Sequence, residues 1–421
     1  MFMRRILRPK KWLARVLPVA LVSGAAALTA PLPLSSDELY LTSFRGRVLL
    51  QETGNPYRPV EKQRPVSSGS LIRTGRDSEA VLRSGDLYYK LYSYSKASFE
   101  SAPSLIYGRI SVSDRPEFDN FRFFYTPSPV QGKTLRIVLL CDAPVSHIES
   151  VIYNDAGYKS RLTFYPYGPN RYRALTGFDV EAKPDKYYLR ITAGMDAKDM
   201  DVPVTDVPGA DVEDKDALDQ DQRAAPPPST TTILYPFYLK RAVIETGKVD
   251  LPEEKNELLL PSEQKEEEIR TLLQVIETNT PDALWEGSFS FPVENPQIIS
   301  SFGKKRSYFF AGAFSFIRFH RGIDIRGATG DPVYAPSNGV AVLVQNRITT
   351  GNTLVLDHGQ GVFSLFFHLD SVQVQTGDRV EAGDRVATIG STGFSAGPHL
   401  HWSLIVNGVN VDPTDWITRS F

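Results

Sequence analysis

Short apolar runs rich in β-formers, broken by polar turn residues, recur through the first half of the chain. Gly46-Arg-Val-Leu-Leu50, Ala80-Val-Leu82 and Leu87-Tyr-Tyr-Lys-Leu-Tyr92 are short runs of β-formers bounded by Gly, Asn, Asp and Ser. They predict strands joined by turns across 40–125. A second set follows in 130–203. Leu135-Arg-Ile-Val-Leu-Leu140, Ser160-Arg-Leu-Thr-Phe-Tyr165 and Lys186-Tyr-Tyr-Leu-Arg-Ile-Thr-Ala193 are separated by turn clusters such as Tyr167-Gly-Pro-Asn170 and Lys183-Pro-Asp185. This regular spacing predicts a β-sandwich. The pattern breaks at 205–232, where Asp206, Asp211, Glu213, Asp214, Asp216, Asp219 and Asp221 precede Pro226-Pro-Pro228. That is the composition of a solvated linker or long exposed loop. Helical periodicity takes over at 262–278, where Ile269, Leu272, Leu273 and Ile276 recur beside Glu266, Glu267 and Glu268, bracketed by Pro261 and Pro281. It predicts one amphipathic helix with a core-facing side. From 285 to 421 the chain is β-rich again.

The N-terminus follows neither pattern. Arg4, Arg5, Arg8, Lys10, Lys11 and Arg15 lead into the apolar and small residues of 16–30. A basic region, a short apolar core and small residues make an export signal, with cuts expected after Ala27 or Ala30. Pro18, Pro31 and Pro33 argue against a membrane helix. The alternative is an uncleaved anchor in the inner membrane. Both readings put the remainder outside the cytoplasm, in the periplasm or cell envelope.

Composition narrows the classes further. With 421 residues, 41% hydrophobic and 23% charged, the chain is ordinary globular material for two or three domains. Without the six basic residues of its first thirty positions it holds 41 basic and 49 acidic residues, a poor balance for binding nucleic acid. One cysteine, Cys141, excludes an intrachain disulfide and a thiolate zinc cluster. A small buried apolar role suits it better than a reactive thiol. The expected fold class is mainly β: two N-terminal β domains at 38–125 and 130–204, an acidic linker and helix at 205–284, and a C-terminal antiparallel β-sheet domain at 285–421.

The chemistry concentrates in the last of these. Five of the six histidines are His320, His358, His368, His399 and His401. Clustered histidine and carboxylate, without cysteine, suit imidazole-type zinc coordination. In His320-Arg-Gly-Ile-Asp324 the even offset puts both side chains on one face of an extended strand, with Gly322 between them leaving room for an ion. In Gly397-Pro-His-Leu-His401 two histidines again share a face, and Leu400 points into the core. Either motif alone is commonplace; together, with His368 ending an apolar strand between them, they form a candidate site. His358 reads as a turn residue outside the site, and His147 as incidental.

The motifs in order are similar to those of lysostaphin/LytM-type zinc metallopeptidases. Phe291-Pro-Val293, Ser301-Phe-Gly303, His320-x-Gly-x-Asp324, Pro332-Val-Tyr-Ala335, Asp357-His-Gly359, His368-Leu369, Gly377-Asp-x-Val380, Gly390-Ser-Thr-Gly393 and Gly397-Pro-His-Leu-His401 carry the likeness. It runs from Trp285 to Trp416. A weaker resemblance links Gly69-Ser-Leu-Ile-Arg-Thr-Gly75 and Ser78-Glu-Ala-Val-Leu82 to FecR-like domains, and the 130–204 unit is read as immunoglobulin-like. The metallopeptidase resemblance implies hydrolysis of cell-wall peptide cross-links, with peptidoglycan as substrate. It implies His320, Asp324 and His401 as zinc ligands and His368 and His399 as the catalytic pair. Three ligands leave a coordination position open, and zinc lowers the pKa of water from about 15.7 to near 7. One departure stands out: the family often has tyrosine two residues before His368, and this chain has Phe366. The aromatic stretch from Tyr308 to Phe319 is read either as a groove wall or as packing. A rival reading is a non-enzymatic envelope protein that activates a separate wall amidase, though such relatives typically lack part of the five-residue set. A carrier domain of the biotinyl type would need a tip lysine, and 359–421 has none. The N-terminal β domains are expected to meet the wall or an envelope protein partner, or to cover the groove.

Overall fold

The computed structural model describes residues 39–84, 87–99, 103–113, 122–125, 129–141, 144–195, 229–278 and 280–421. The expected export signal and the acidic stretch 206–221 lie outside the described residues. The fold is mainly β, as the pattern predicts.

The two N-terminal units keep separate cores but share a sheet. Leu41, Leu82, Tyr89 and Ile110 belong to the first core; Ile137, Leu189, Ile191 and Phe237 belong to the second, with Cys141 buried among them. Among the described residues a nine-stranded sheet runs through both units, because Ser229–Tyr238 pairs with Ile110–Ser113 on one side and Lys186–Met195 on the other. This corrects the reading of 205–284 as linker and helix alone. The acids and prolines set the region's composition, but behind them Thr231, Ile233 and Phe237 alternate inward. β-branched and aromatic residues on a half-buried pleat favour a ladder over coil. The same region yields another strand, Thr246–Leu251, which pairs in parallel with Lys305–Phe310.

The helix spans Glu263–Ile276, and the Ser262 side chain caps it by accepting from the Lys265 N–H. Its buried stripe is rotated from the expected one. Leu272, Val275 and Ile276 pack on a cluster containing Phe363 and Leu365, whereas Ile269 and Leu273 are exposed. Glu268 joins the buried side because the sheet supplies partners. Its carboxylate accepts from the Ile348 N–H at 3.1 Å, and its carbonyl accepts from Arg347 Nη2 at 2.8 Å.

The C-terminal domain is a ten-stranded sheet with antiparallel pairing. Its core of Phe366, Trp402, Leu404 and Trp416 also takes in Leu175 from the second β unit. Arg173 donates to the Phe421 carbonyl at 2.8 Å and to Gln360 Oε1 at 2.7 Å. Trp416 Nε1 donates to Thr134 Oγ1 at 2.8 Å, and Asn407 Nδ2 to the Leu175 carbonyl at 2.6 Å. Donors that would be costly to bury alone are therefore satisfied across the seam.

Candidate metal centre

The strand His399–Val406 lies between Ile323–Arg326 and Val362–Val372. Register pairs His401 with Asp324 on one side and with Phe367 on the other. Directly opposed residues share a face, so Asp324, His401 and His399 look the same way while Leu400 enters the core. His320, just after the strand Ala313–Phe319, reaches the same point. Its Nε2 lies 3.0 Å from Asp324 Oδ1 and 3.0 Å from His401 Nδ1, and those two atoms are 2.9 Å apart. Gly322 serves a different purpose from the one expected. A Cβ there would meet His401 Nε2 at 2.6 Å and Ser403 Oγ at 2.7 Å. The glycine clears space for an imidazole and its supporting hydroxyl, not for the ion.

Hydrogen bonds on the outer edges fix the protons. His320 Nδ1 donates to the Ser301 carbonyl at 2.9 Å. Ser403 Oγ donates to the Arg321 carbonyl at 2.8 Å, and so accepts from His401 Nε2, also at 2.8 Å. Both inward nitrogens therefore carry lone pairs and meet a carboxylate oxygen. Burial pulls His320 down to about 4, against the attraction of Asp324, so it holds no extra proton at neutral pH. Three lone-pair atoms this close repel one another unless a cation sits among them. Two imidazoles and one carboxylate suit zinc, and three protein ligands leave a position open. Arg306 Nη2 donates to the other Asp324 oxygen and, at 2.7 Å, to Ser300 Oγ, which fixes the oxygen that faces inward.

His368 reaches this face by a bulge. Strict alternation would bury it, since Phe367 already faces His401 with its ring stacked on the imidazole at 5.0 Å. Instead the pairing shifts after Phe366, and His368 takes a left-handed φ of 61°. Phe366 and Leu369 both stay in the core, and the two residues between them turn outward. Bulges re-aim side chains in this way. The His368 N–H donates to the Thr350 carbonyl and its Nδ1 to the Thr392 carbonyl, each at 2.8 Å. His399 Nδ1 donates to the Gly397 carbonyl at 2.8 Å. Each ring thus keeps a lone pair on Nε2, and the rings lie 5.2 Å apart. Burial, then the neighbouring His401 and His399, pull His368 down to about 3.

His358 stays outside the site: it is fully buried, donating from Nδ1 to the Asn338 carbonyl at 2.7 Å. His147 lies in the second β unit, on the strand His147–Tyr153. Sequence reasoning missed Ser301, Arg306, Thr392 and Ser403. Ser301 and Thr392 lie in motifs that carry the resemblance but had no role assigned, Ser403 had the signal of being two residues beyond His401 and so on its face, and Arg306 had none. Asp324, His368, His399 and His401 line a groove of about 500 Å³, and His320 is buried behind it. Tyr308 lines it and Phe310 is buried, so the aromatic hairpin serves as both wall and packing. Lys255 Nζ donates to the Gly393 carbonyl at 2.8 Å, tying the segment before the helix to the loop that holds His368.

Residues 318–413 match Peptidase family M23. That segment contains the three convergent residues, His320, Asp324 and His401, and both further histidines. It is an M23 peptidase domain. Peptidoglycan DD-endopeptidase ShyA of Vibrio cholerae is 34% identical over 128 residues, 30% of this chain and 29% of its own length. DD-carboxypeptidase/endopeptidase Mpg of Neisseria meningitidis is 38% identical over 96 residues, 23% of this chain and 22% of its own length. The matches thus span under a third of either relative. A solved M23-type chain from Pseudomonas aeruginosa is 20% identical, with a TM-score of 0.44, covering 69% of this chain and 95% of its own. Phe366, where the resemblance led one to expect tyrosine, is fully buried in the M23 core; a hydroxyl there would need a buried partner.

Proposed function

We propose that this chain is an exported zinc-dependent endopeptidase that hydrolyses peptide cross-links of bacterial peptidoglycan. The observation that carries the reading is the convergence of three lone pairs, on His320, Asp324 and His401, beside two further histidines in one groove. The names of the relatives, peptidoglycan DD-endopeptidase and DD-carboxypeptidase/endopeptidase, support peptidoglycan as substrate, and the basic-then-apolar N-terminus supports export to the periplasm or envelope. Retention of all five residues favours an enzyme over an amidase activator.

His320, Asp324 and His401 would hold zinc, which supplies Lewis acidity for a peptide carbonyl and for a water. The chain's own residues do the remainder. Arg306 and Ser403 keep the ligand atoms aimed inward. His368 and His399 each offer Nε2 to the groove, where a proton can be accepted and later returned to the departing amine. Because burial keeps His368 neutral at neutral pH, it starts as an acceptor.

The test is digestion of purified peptidoglycan by the full chain, with and without a chelator, beside His401→Ala and His399→Ala. Release of cross-linked peptide that needs both the metal and the histidines is expected, and product masses name the bond. Zinc-loaded protein that releases nothing from several wall types would overturn the reading.

A further inference from the structure

One wall of the groove comes from outside the matched segment 318–413. The strand Thr246–Leu251 pairs in parallel with Lys305–Phe310 and, among the described residues, has no strand along its other edge. Its Gly247, Lys248, Val249 and Leu251 line the same groove as His368, His399 and His401. Register sets Gly247 and Val249 opposite Arg306 and Tyr308, which also line the groove, so this face of the pair is turned toward the metal centre. The Lys248 side chain leaves by the opposite face, where its Nζ lies 4.2 Å from the centre of the Phe309 ring and 3.4 Å from Asp250 Oδ2. What Lys248 brings to the groove is therefore its main chain.

The hydrogen-bond phase shows which groups that main chain offers. The Lys305 N–H donates to the Glu245 carbonyl at 2.8 Å, and the Ala311 N–H to the Leu251 carbonyl at 3.1 Å. In a parallel pair alternate residues turn both main-chain groups toward the partner strand. The two bonds therefore assign Gly247, Val249 and Leu251 to Lys305–Phe310, and turn the N–H and C=O of Thr246, Lys248 and Asp250 to the open edge. Of those three only Lys248 lines the groove. Its two main-chain groups have no partner among the described residues. An open edge of this kind is a template for a further extended chain.

The occupant follows from where the edge lies. It shares one cavity with His368 and His399, and on the endopeptidase reading that cavity takes a peptide. An extended peptide carries the complement of the edge, a carbonyl for the Lys248 N–H and an N–H for the Lys248 carbonyl. We infer that an extended arm of the peptide substrate pairs with the main chain of Lys248, so that a strand outside the M23 segment positions the scissile bond. The inference rests on the endopeptidase reading for the nature of the occupant. Recognition of this kind reads amide groups and is indifferent to the Lys248 side chain, which faces away.

The test compares two substitutions at one position, using the zinc-loaded full chain and one cross-linked muropeptide dimer. Lys248→Pro removes the edge N–H and spares the ladder to Lys305–Phe310, which does not use it. It is expected to lower kcat/KM about tenfold, mainly through KM, while Lys248→Ala stays within about twofold of the unsubstituted chain. An unchanged KM for Lys248→Pro, or an equal loss for Lys248→Ala, overturns the inference. Zinc affinity, read by competition with a chelating dye, shows whether the proline variant keeps its fold, since Arg306 on the paired strand bonds Asp324. If it does not, or if the dimer is not cut at all, hydrogen exchange on the unsubstituted chain decides, with a chelator present to prevent cleavage. The Lys248 amide should then exchange at least about threefold more slowly with saturating dimer than without it. No slowing there overturns the inference, whereas slowing with an uncut dimer upholds it and counts against the endopeptidase reading alone.

Discussion

One hydroxyl sets the direction of the His401 imidazole. Ser403 accepts from His401 Nε2 and donates to the Arg321 carbonyl, so alanine would leave the imidazole free to turn. Ser403→Ala is expected to weaken zinc binding by about 10- to 100-fold, read by competition with a chelating dye. An unchanged affinity would mean that stacking on Phe367 alone holds the ring. His358 supplies a pH dependence. Burial pulls it down to about 4 from its ordinary 6.5, so the unfolded chain binds more protons between those values. Its contribution is fully present above 6.5 and is lost as pH falls toward 4, by roughly 3 kcal/mol. His320 and His368 act in the same sense when metal is absent. In chelated protein, urea unfolding at pH 7 and pH 4.5 should show a smaller pH effect for His358→Gln than for wild type; an identical effect would contradict the assignment. The sequence made Asp324, His399 and His401 legible, because even offsets on strands translate directly into shared faces; His320 was legible as a candidate, but it lies between two strands and meets Asp324 across a bend, not along one strand. His368 was legible as a candidate but not in its geometry. Its placement depends on a bulge and a left-handed φ, for which the only trace is two core residues, Phe366 and Leu369, three apart.

At the scale of elements, the helix Glu263–Ile276 was visible from its spacing but not its orientation. Glu268 sits in a run of three glutamates that reads as a solvated face, yet it is 5% exposed. Its partners lie some eighty residues on, where Arg347 and Ile348 meet it. Arg347 Nε is 3.9 Å from the Glu268 carboxylate. Removing one partner leaves the other charge buried, so Glu268→Ala should cost roughly 3 kcal/mol. The pair Glu268→Met with Arg347→Met should cost less than that single change. Chemical denaturation of the single and double variants checks this, and a double variant worse than Glu268→Ala would show that packing, not charge, decides. The groove strand Thr246–Leu251 was hidden for a related reason. Its burial alternates along only six residues, and its partner Lys305–Phe310 lies beyond the helix.

The whole molecule is less divisible than its sequence suggests. Composition breaks predict independent units, but the nine-stranded sheet crosses the first boundary and Leu175 crosses the second. A long-range strand pair or a single buried leucine leaves no local signature. Leu175→Ala should destabilise the full chain by about 2–4 kcal/mol. A truncated 285–421 fragment, which lacks Leu175, Arg173 and Thr134, should melt well below the full chain. Equal melting temperatures would show that the seam contributes nothing. The most direct test of the account is incubation of one defined, cross-linked muropeptide dimer with the zinc-loaded full chain, followed over time by mass spectrometry. The account predicts that the dimer gains one water and separates into two monomers, and that a chelator, His401→Ala or His368→Ala stops this. A dimer left intact by the zinc-loaded protein, or cut equally well after chelation, would contradict it.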